Sequence, residues 1–404
     1  MSSRTESKIP PRLPRTVVML GIVSLFMDMS SELIHSLLPA LFVTVLGANM
    51  AMIGLIEGVA EATASITKVF SGVLSDWLGK RKMLAVVGYG MAAITKPLFP
   101  LATSIPVVFA ARFIDRIGKG IRGAPRDALI ADVTPEDRRG AAYGLRQSLD
   151  TAGAFMGPLA AIALMALFAD DVRTVLWFAV IPAAICMVIL IFAVEDAKTP
   201  PRPASAKSPI NKRELKQLPS AFWAIVFIGG LFSLTRFSEA FLTLRGMELG
   251  LPLAMTPMAI LLMSLIYALS SYPAGKISDK INRRFLLIIG LVVMIVADLF
   301  LAVADDLTFV FLGIAAWGLH MGLTQGVLSA MVAEAAPKTL RGTAFGIFNL
   351  ISGIVLLAAS VIAGLVWDMF GSQMTFLMGG SFAVLSILAV LWTTRRGKPI
   401  KYQT

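Results

Sequence analysis

One short polar stretch occurs twice in this chain, each time wedged between two apolar runs. Gly72-Val73-Leu74-Ser75-Asp76-Trp77-Leu78-Gly79-Lys80-Arg81-Lys82 returns as Gly275-Lys276-Ile277-Ser278-Asp279-Lys280-Ile281-Asn282-Arg283-Arg284. Gly72 falls on Gly275, Ser75 on Ser278 and Asp76 on Asp279, about two hundred residues apart in a chain of 404. A second stretch repeats at nearly the same separation: Ala131-Asp132-Val133-Thr134-Pro135 through Arg139-Gly140 to Gly144 parallels Ala333-Glu334-Ala335-Ala336-Pro337 through Arg341-Gly342 to Gly346. The chain therefore reads as two related halves. Apolar runs in lipid must satisfy their backbone groups internally, so they fold as helices, and a short basic link between two of them forms a tight hairpin.

The apolar content supports lipid as the solvent. Hydrophobic residues make up 57% of the chain, above the ~45–50% of soluble domains, and mean hydropathy is +0.79. Runs of about 20 residues, enough to cross a bilayer, recur throughout. The predicted spans are 16–46, 51–75, 83–103, 106–130, 141–168 and 173–194, then 220–246, 254–275, 285–304, 307–333, 342–367 and 374–394. The expected fold is an all-α membrane protein of about twelve transmembrane helices in two pseudo-symmetric six-helix bundles. Its expected organisation is a tail at 1–15, a first bundle at 16–194, a linker at 195–219, a second bundle at 220–394 and a tail at 395–404. The linker is too polar to cross a membrane and, with Pro200, Pro201, Pro203, Pro209 and Pro219, too proline-rich for one helix.

Charge orients the spans. The formal net charge is +11, and most of the surplus lies in links between apolar runs rather than on a nucleic-acid-binding face. With both termini in the cytoplasm, the tails, Lys80–Lys82, Arg138, Arg139, the linker, Lys276–Arg284 and Arg341 all fall inside. The opposite loops hold Arg173 with Asp170, Asp171, Asp305, Asp306 and Asp368. No removable signal peptide is expected at the N-terminus, which lacks a short apolar core with a small-residue cleavage site. Cys186 is the only cysteine, which excludes an intrachain disulfide and a thiolate metal cluster. No P-loop occurs, so nothing points to an ATP-driven pump. No metal, cofactor or soluble catalytic domain is expected, and no oligomer is required.

The duplicated link resembles the signature loop between helices two and three of the major facilitator superfamily, here in both halves. On that resemblance Gly72, Asp76, Gly79 and Arg81, with Gly275, Asp279 and Arg283, form a gating element that latches one bundle to the other. Arg112…Gly118-Lys119-Gly120 resembles the family's second motif, although Asp115 and Arg116 stand where glutamine and glycine are usual. In the fifth span Gly144, Gly153 and Gly157-Pro158, followed by Ala161-Ile162, resemble the antiporter motif of drug–proton exchangers, whose last two positions are normally glycine. The resemblance implies a multi-pass inner-membrane protein that exports a small molecule in exchange for protons by alternating access. A proton-coupled importer of an organic anion, and a membrane-embedded receptor or enzyme on the same fold, stay open.

The spans carry charges that lipid does not tolerate. A central charge costs about 2.5–3.5 kcal/mol even on a lenient insertion scale, so such side chains face a cavity or one another. Asp28, Glu32 and His35 share one face of the first span; Glu57 and Glu61 lie four apart in the second. In the fourth, Asp115, Lys119, Arg122 and Arg126 form one stripe, with Arg116 beside it. In the family's fold the first, fourth, seventh and tenth spans line the central path. The expected cargo and proton path is therefore Asp28, Glu32, Asp115, Arg116, Lys119 and Arg122 from the first half, with Arg236, Glu239 and Gln325 from the second. The alternative for these charges is a buried ion-pair network that holds helices together. The near balance of acid and base leaves the charge of the cargo open.

Overall fold

The computed structural model describes residues 13–78, 80–196, 215, 217–278, 280–337 and 340–396. The tails, most of the linker, Gly79 and Asp279 lie outside the described residues, as does the side chain of Asp76. The chain is helical from end to end of this range. The first half comprises α1 (Arg15–Ala40), α2 (Met50–Leu78), α3 (Arg81–Thr95), α4 (Leu98–Leu101), α5 (Ile105–Val133), α6 (Arg139–Leu167), α7 (Val172–Trp177) and α8 (Val180–Phe192). The second comprises α9 (Ser220–Leu234), α10 (Ala240–Glu248), α11 (Met258–Ser278), α12 (Arg283–Val303), α13 (Leu307–Ala335), α14 (Arg341–Phe370) and α15 (Ser372–Arg396). A π-helical turn, Leu41–Val45, extends α1.

Local chemistry sets the ends. Asp171 accepts from the backbone N–H of Arg173 and Thr174 at the start of α7, and Asp306 from those of Thr308 and Phe309 at the start of α13. Each satisfies helix donors that have no partner within the helix. The Asp171 carboxyl is held below its usual range, chiefly by the Thr174 hydroxyl. Gly371, at φ +86°, makes the left-handed turn between α14 and α15.

Among the described residues ten helical segments are long and apolar enough to cross a membrane. Two further crossings complete the twelve expected from sequence. One is α5, which is long enough at Ile105–Val133 but heavily charged. The other is the seventh span, which departs from the expected continuous helix at 220–246. It consists of α9 and α10, with Thr235–Glu239 irregular between them. No proline or glycine stands in that segment, so local propensity does not announce the break. The freed backbone is satisfied from elsewhere: Ser238 N–H donates to Ser360 Oγ of α14 at 3.1 Å, and Ala240 N–H to Ser238 Oγ at 3.2 Å.

The face at the start of α1 is termed here the near face, and the face at Gly47 and Gly371 the far face. Helices α1 and α6 pack along each other, as do α2 and α14 from opposite halves. Small residues allow this close approach: a Cβ at Gly54 would lie 2.1 Å from Ser360 O, and one at Gly364 2.3 Å from Met50 O. The apolar core is continuous across the halves through the far-face end of α1, from Leu33 to Phe42. The near-face part of the first half, with Val17–Met27, Ala85, Tyr89, Leu129 and Ile130, forms a separate core. The halves are thus joined by apolar packing toward the far face.

Candidate functional site

A cavity of about 580 Å³ lies between the halves, within the range of small-molecule sites. The first half contributes Glu32 and His35 from α1, Glu57, Glu61 and Ser65 from α2, and Arg116 and Lys119 from α5. The second contributes Arg236 and Glu239 from the break, Tyr267 from α11, Gln325 from α13 and Asn349 from α14. Phe232, Phe237, Trp317 and Phe348 supply apolar wall. The break explains why Arg236 and Glu239 both line the cavity: each belongs to irregular backbone, which membrane proteins keep only where it is buried or faces a cavity.

Most first-half charges are paired. Arg112 holds Glu57 through two bonds, Nε to Oε1 at 3.1 Å and Nη2 to Oε2 at 2.6 Å, with both side chains almost fully buried. His35 places Nδ1 3.4 Å from Glu32 Oε2 and Nε2 3.5 Å from Glu57 Oε2, so the three side chains form a chain. Arg116 Nη2 lies 3.0 Å from Glu61 Oε1. Deeper in the first half, Lys96 Nζ meets Asp115 Oδ1 at 2.9 Å and Ser31 Oγ at 3.0 Å.

The fourth-span stripe is therefore divided. Asp115 is taken up by Lys96, and Arg122 reaches Asp28 at 3.4 Å while its guanidinium lies over the Tyr89 ring, 4.7 Å from the centroid. Arg126 and Arg146 complete this second network around Asp150. Asp28, Asp115 and Arg122 are not among the cavity-lining residues, whereas Glu32, Arg116, Lys119, Arg236, Glu239 and Gln325 are. Lys119 alone of the stripe reaches the cavity without an ion-pair partner among the described residues. Arg236 is met by a neutral group. With the Gln325 amide oxygen turned toward it, Nη1 and Nη2 donate at 3.0 and 3.2 Å, and the amide nitrogen donates to Tyr267 Oη at 2.8 Å.

The duplicated stretches also meet in space. Arg81, at the start of α3, pairs with Asp132 near the end of α5, and Arg283, at the start of α12, pairs with Glu334 near the end of α13. Each half thus ties its repeated link to its second repeated stretch. Gly72 of the first copy approaches Ala124 of α5, while Gly275 faces open space. In α6, Gly153 and Gly157 abut the α1 backbone: Cβ atoms there would lie 2.3 Å from Leu25 O and 2.7 Å from Met29 O. Gly144 has nothing nearby, and Pro158 is buried within the helix.

Sequence reasoning did not single out Tyr267, Asn349 or the cavity serines, since lone neutral polar residues in apolar spans are common packing groups. It also passed over the partnership of Glu57 with Arg112, which lies across two helices. Two further buried groups stand outside the cavity. His320 Nδ1–H donates to Gly290 O at 2.7 Å, and the ring stacks on Phe232. Asp298 is 1% exposed, and neither oxygen has a partner among the described residues.

Comparison with known proteins agrees with this architecture. The family model for the Major Facilitator Superfamily matches residues 20–266 and 248–404. An uncharacterised MFS-type transporter of Methanocaldococcus jannaschii is 33% identical over 390 residues, covering 94% of this chain and 95% of that protein. The inner membrane transport protein YajR of Escherichia coli is 23% identical over 412 residues, covering 96% and 84%. The crystal structure of the nucleoside transporter NupG superposes with a TM-score of 0.76 at 15% identity, covering 94% of this chain and 99% of that one. A family match over both halves and a full-length relative together establish that this chain is a member of the Major Facilitator Superfamily, a family of membrane transporters and not of enzymes.

Proposed function

We propose that the chain is a secondary active transporter of the inner (cytoplasmic) membrane that exports a small molecule in exchange for protons. The near face is the cytoplasmic one in this reading, with both termini there, and the two bundles span residues 16–194 and 220–394. The observation that carries it is the cavity between the halves, lined by ionisable side chains from both, with a continuous apolar core joining the halves at the far-face end of α1. Alternating access rocks the halves about such a site.

Proton exchange is assigned to the carboxylates of α1. Glu32 lines the cavity and joins His35 and Glu57, while Asp28 stands against Arg122 and Asp150. The glycine contacts of α6 on α1 support the drug–proton exchanger resemblance, because they place Gly157 beside Glu32. The gating role of Asp76 and Asp279 rests on the repeated link, and Asp76→Asn should leave the protein inserted while slowing flux strongly.

The test compares everted with right-side-out membrane vesicles under an imposed pH gradient, with a cell-extract metabolite mixture read by mass spectrometry. Export by antiport predicts expression-dependent accumulation in everted vesicles that are acidic inside. Neutralising Asp28 and Glu32 together should abolish accumulation yet leave counterflow. Uptake only into right-side-out vesicles would instead favour a proton-coupled importer of an organic anion, a second reading favoured by unpaired Lys119 and Arg236.

A further inference from the structure

Eight carboxylate, imidazole or cationic side chains line the cavity: Glu32, His35, Glu57, Glu61, Arg116, Lys119, Arg236 and Glu239. Glu57 is neutralised by Arg112, Glu61 by Arg116, and His35 bridges Glu32 and Glu57. Three lining groups then remain without an opposite charge in contact among the described residues. They are Lys119 from the first half, and Arg236 and Glu239 from the break in the second. Arg236 has only the neutral Gln325 amide at its Nη atoms. Glu239 stands within electrostatic reach of Arg236, His35, Glu61 and Glu32, yet bonds to none of them.

Unpaired charges in a site walled by helices are expensive unless something else meets them. A purely cationic cargo would face two like charges, at Lys119 and Arg236. A purely anionic cargo would meet those two well but face the Glu239 carboxylate. A molecule carrying both a carboxylate and an ammonium answers all three. Its carboxylate can lie between Lys119 and Arg236, and its ammonium against Glu239, three residues from Arg236 in the same irregular segment. Phe232, Phe237, Trp317 and Phe348 take the apolar body.

We propose that the cavity is a binding site for a small zwitterion with an apolar body, held by Lys119 and Arg236 at the carboxylate and by Glu239 at the ammonium. Lys119 and Arg236 belong to opposite halves, so a carboxylate held by both links the halves and favours the state in which they approach. This rests on the transporter reading for its purpose, but the binding claim is tested apart from transport.

The experiment measures binding to the purified full-length protein by isothermal titration. It uses three matched series: phenylalanine, 3-phenylpropionate and 2-phenylethylamine; tryptophan, 3-indolepropionate and tryptamine; and 6-aminohexanoate, hexanoate and hexylamine. In at least one series the zwitterion should bind tenfold or more tightly than both its relatives. Glu239→Gln should erase its advantage over the acid, and Arg236→Gln its advantage over the amine. Each variant is first checked for an unchanged melting temperature, and Glu239→Asp and Arg236→Lys serve where a neutral variant fails to fold. Tightest binding by an acid or an amine in every series, a preference untouched by both substitutions, or no binding by any of the nine compounds would overturn the proposal. Reconstituted flux separates the two claims: flux of the bare acids without zwitterion preference sinks this inference alone, and zwitterion binding without any gradient-driven flux sinks the transporter reading alone.

Discussion

Asp368, near the end of α14, sets its carboxylate on the first turn of α2 at Met50. Oδ1 accepts from the N–H of Met50 at 3.0 Å, and Oδ2 from that of Ala51 at 2.8 Å. A carboxylate from the second half thus satisfies the free donors at the N-terminus of a helix in the first, where the helix dipole also favours negative charge. Asn49 serves the next donor, Met52 N–H, at 2.9 Å.

Replacing that carboxylate should loosen the far face. Asp368→Asn keeps the size but removes the charge, and loss of a helix cap is worth about 1 kcal/mol. The expected result is faster hydrogen exchange at the Met50 and Ala51 amides, by roughly fivefold on that figure. Unchanged exchange would mean that the far face is held shut without this contact.

The divided stripe of α5 makes opposite forecasts for neighbouring cations. Lys119→Ala removes no ion pair, so the melting temperature should stay near that of the parent while half-saturation for cargo rises. Arg116→Ala and Arg122→Ala strand Glu61 and Asp28 and should lower it. Each acid keeps some solvent access, so the loss should stay below the ~3–5 kcal/mol typical of breaking a fully buried pair. Melting and concentration-dependent flux on the three variants decide the matter. A destabilised Lys119→Ala with unchanged half-saturation would make Lys119 part of the scaffold.

Glu57 and Arg112 are buried enough for the full penalty. Glu57→Gln leaves a guanidinium without its counter-charge and should cost about 3–5 kcal/mol, whereas the double change Glu57→Gln with Arg112→Met should recover most of that. A double-mutant cycle in detergent melts measures the coupling, and additive losses would contradict the pairing.

The α1–α6 seam gives a steric forecast. Gly153→Ile must push into the Leu25 carbonyl and should destabilise by about 1–3 kcal/mol. Gly144→Ala, with open space around it, should be close to neutral. If both substitutions melt alike, the close approach of α6 to α1 is not what Gly153 provides.

Much of this architecture was readable because its signals are one-dimensional. Apolar length marked the spans, and two repeats in register marked the halves. The site was only partly readable. Charged residues in apolar runs pointed to Glu32, Arg116, Lys119, Arg236 and Glu239, and a polar one to Gln325, all of which line the cavity. The same signal pointed equally to Asp115 and Arg122, whose partners Lys96 and Asp28 sit on other helices. Helical spacing says which residues share a face but not which neighbour that face meets. The break before Ala240 was hidden because side chains of Ser238 and Ser360, not proline or glycine, hold it.

The two pieces of the seventh span are anchored very differently. Arg245 of α10 donates to Leu301 O, Ala304 O, Ser372 Oγ and Glu248 Oε2, so α10 is riveted to the ends of α12 and α15. The unwound residues ahead of it interrupt the helix, so α9 and α10 are two rods rather than one. One crossing of the membrane is thereby built as two pieces set end to end, with the charged groups Arg236 and Glu239 at the elbow.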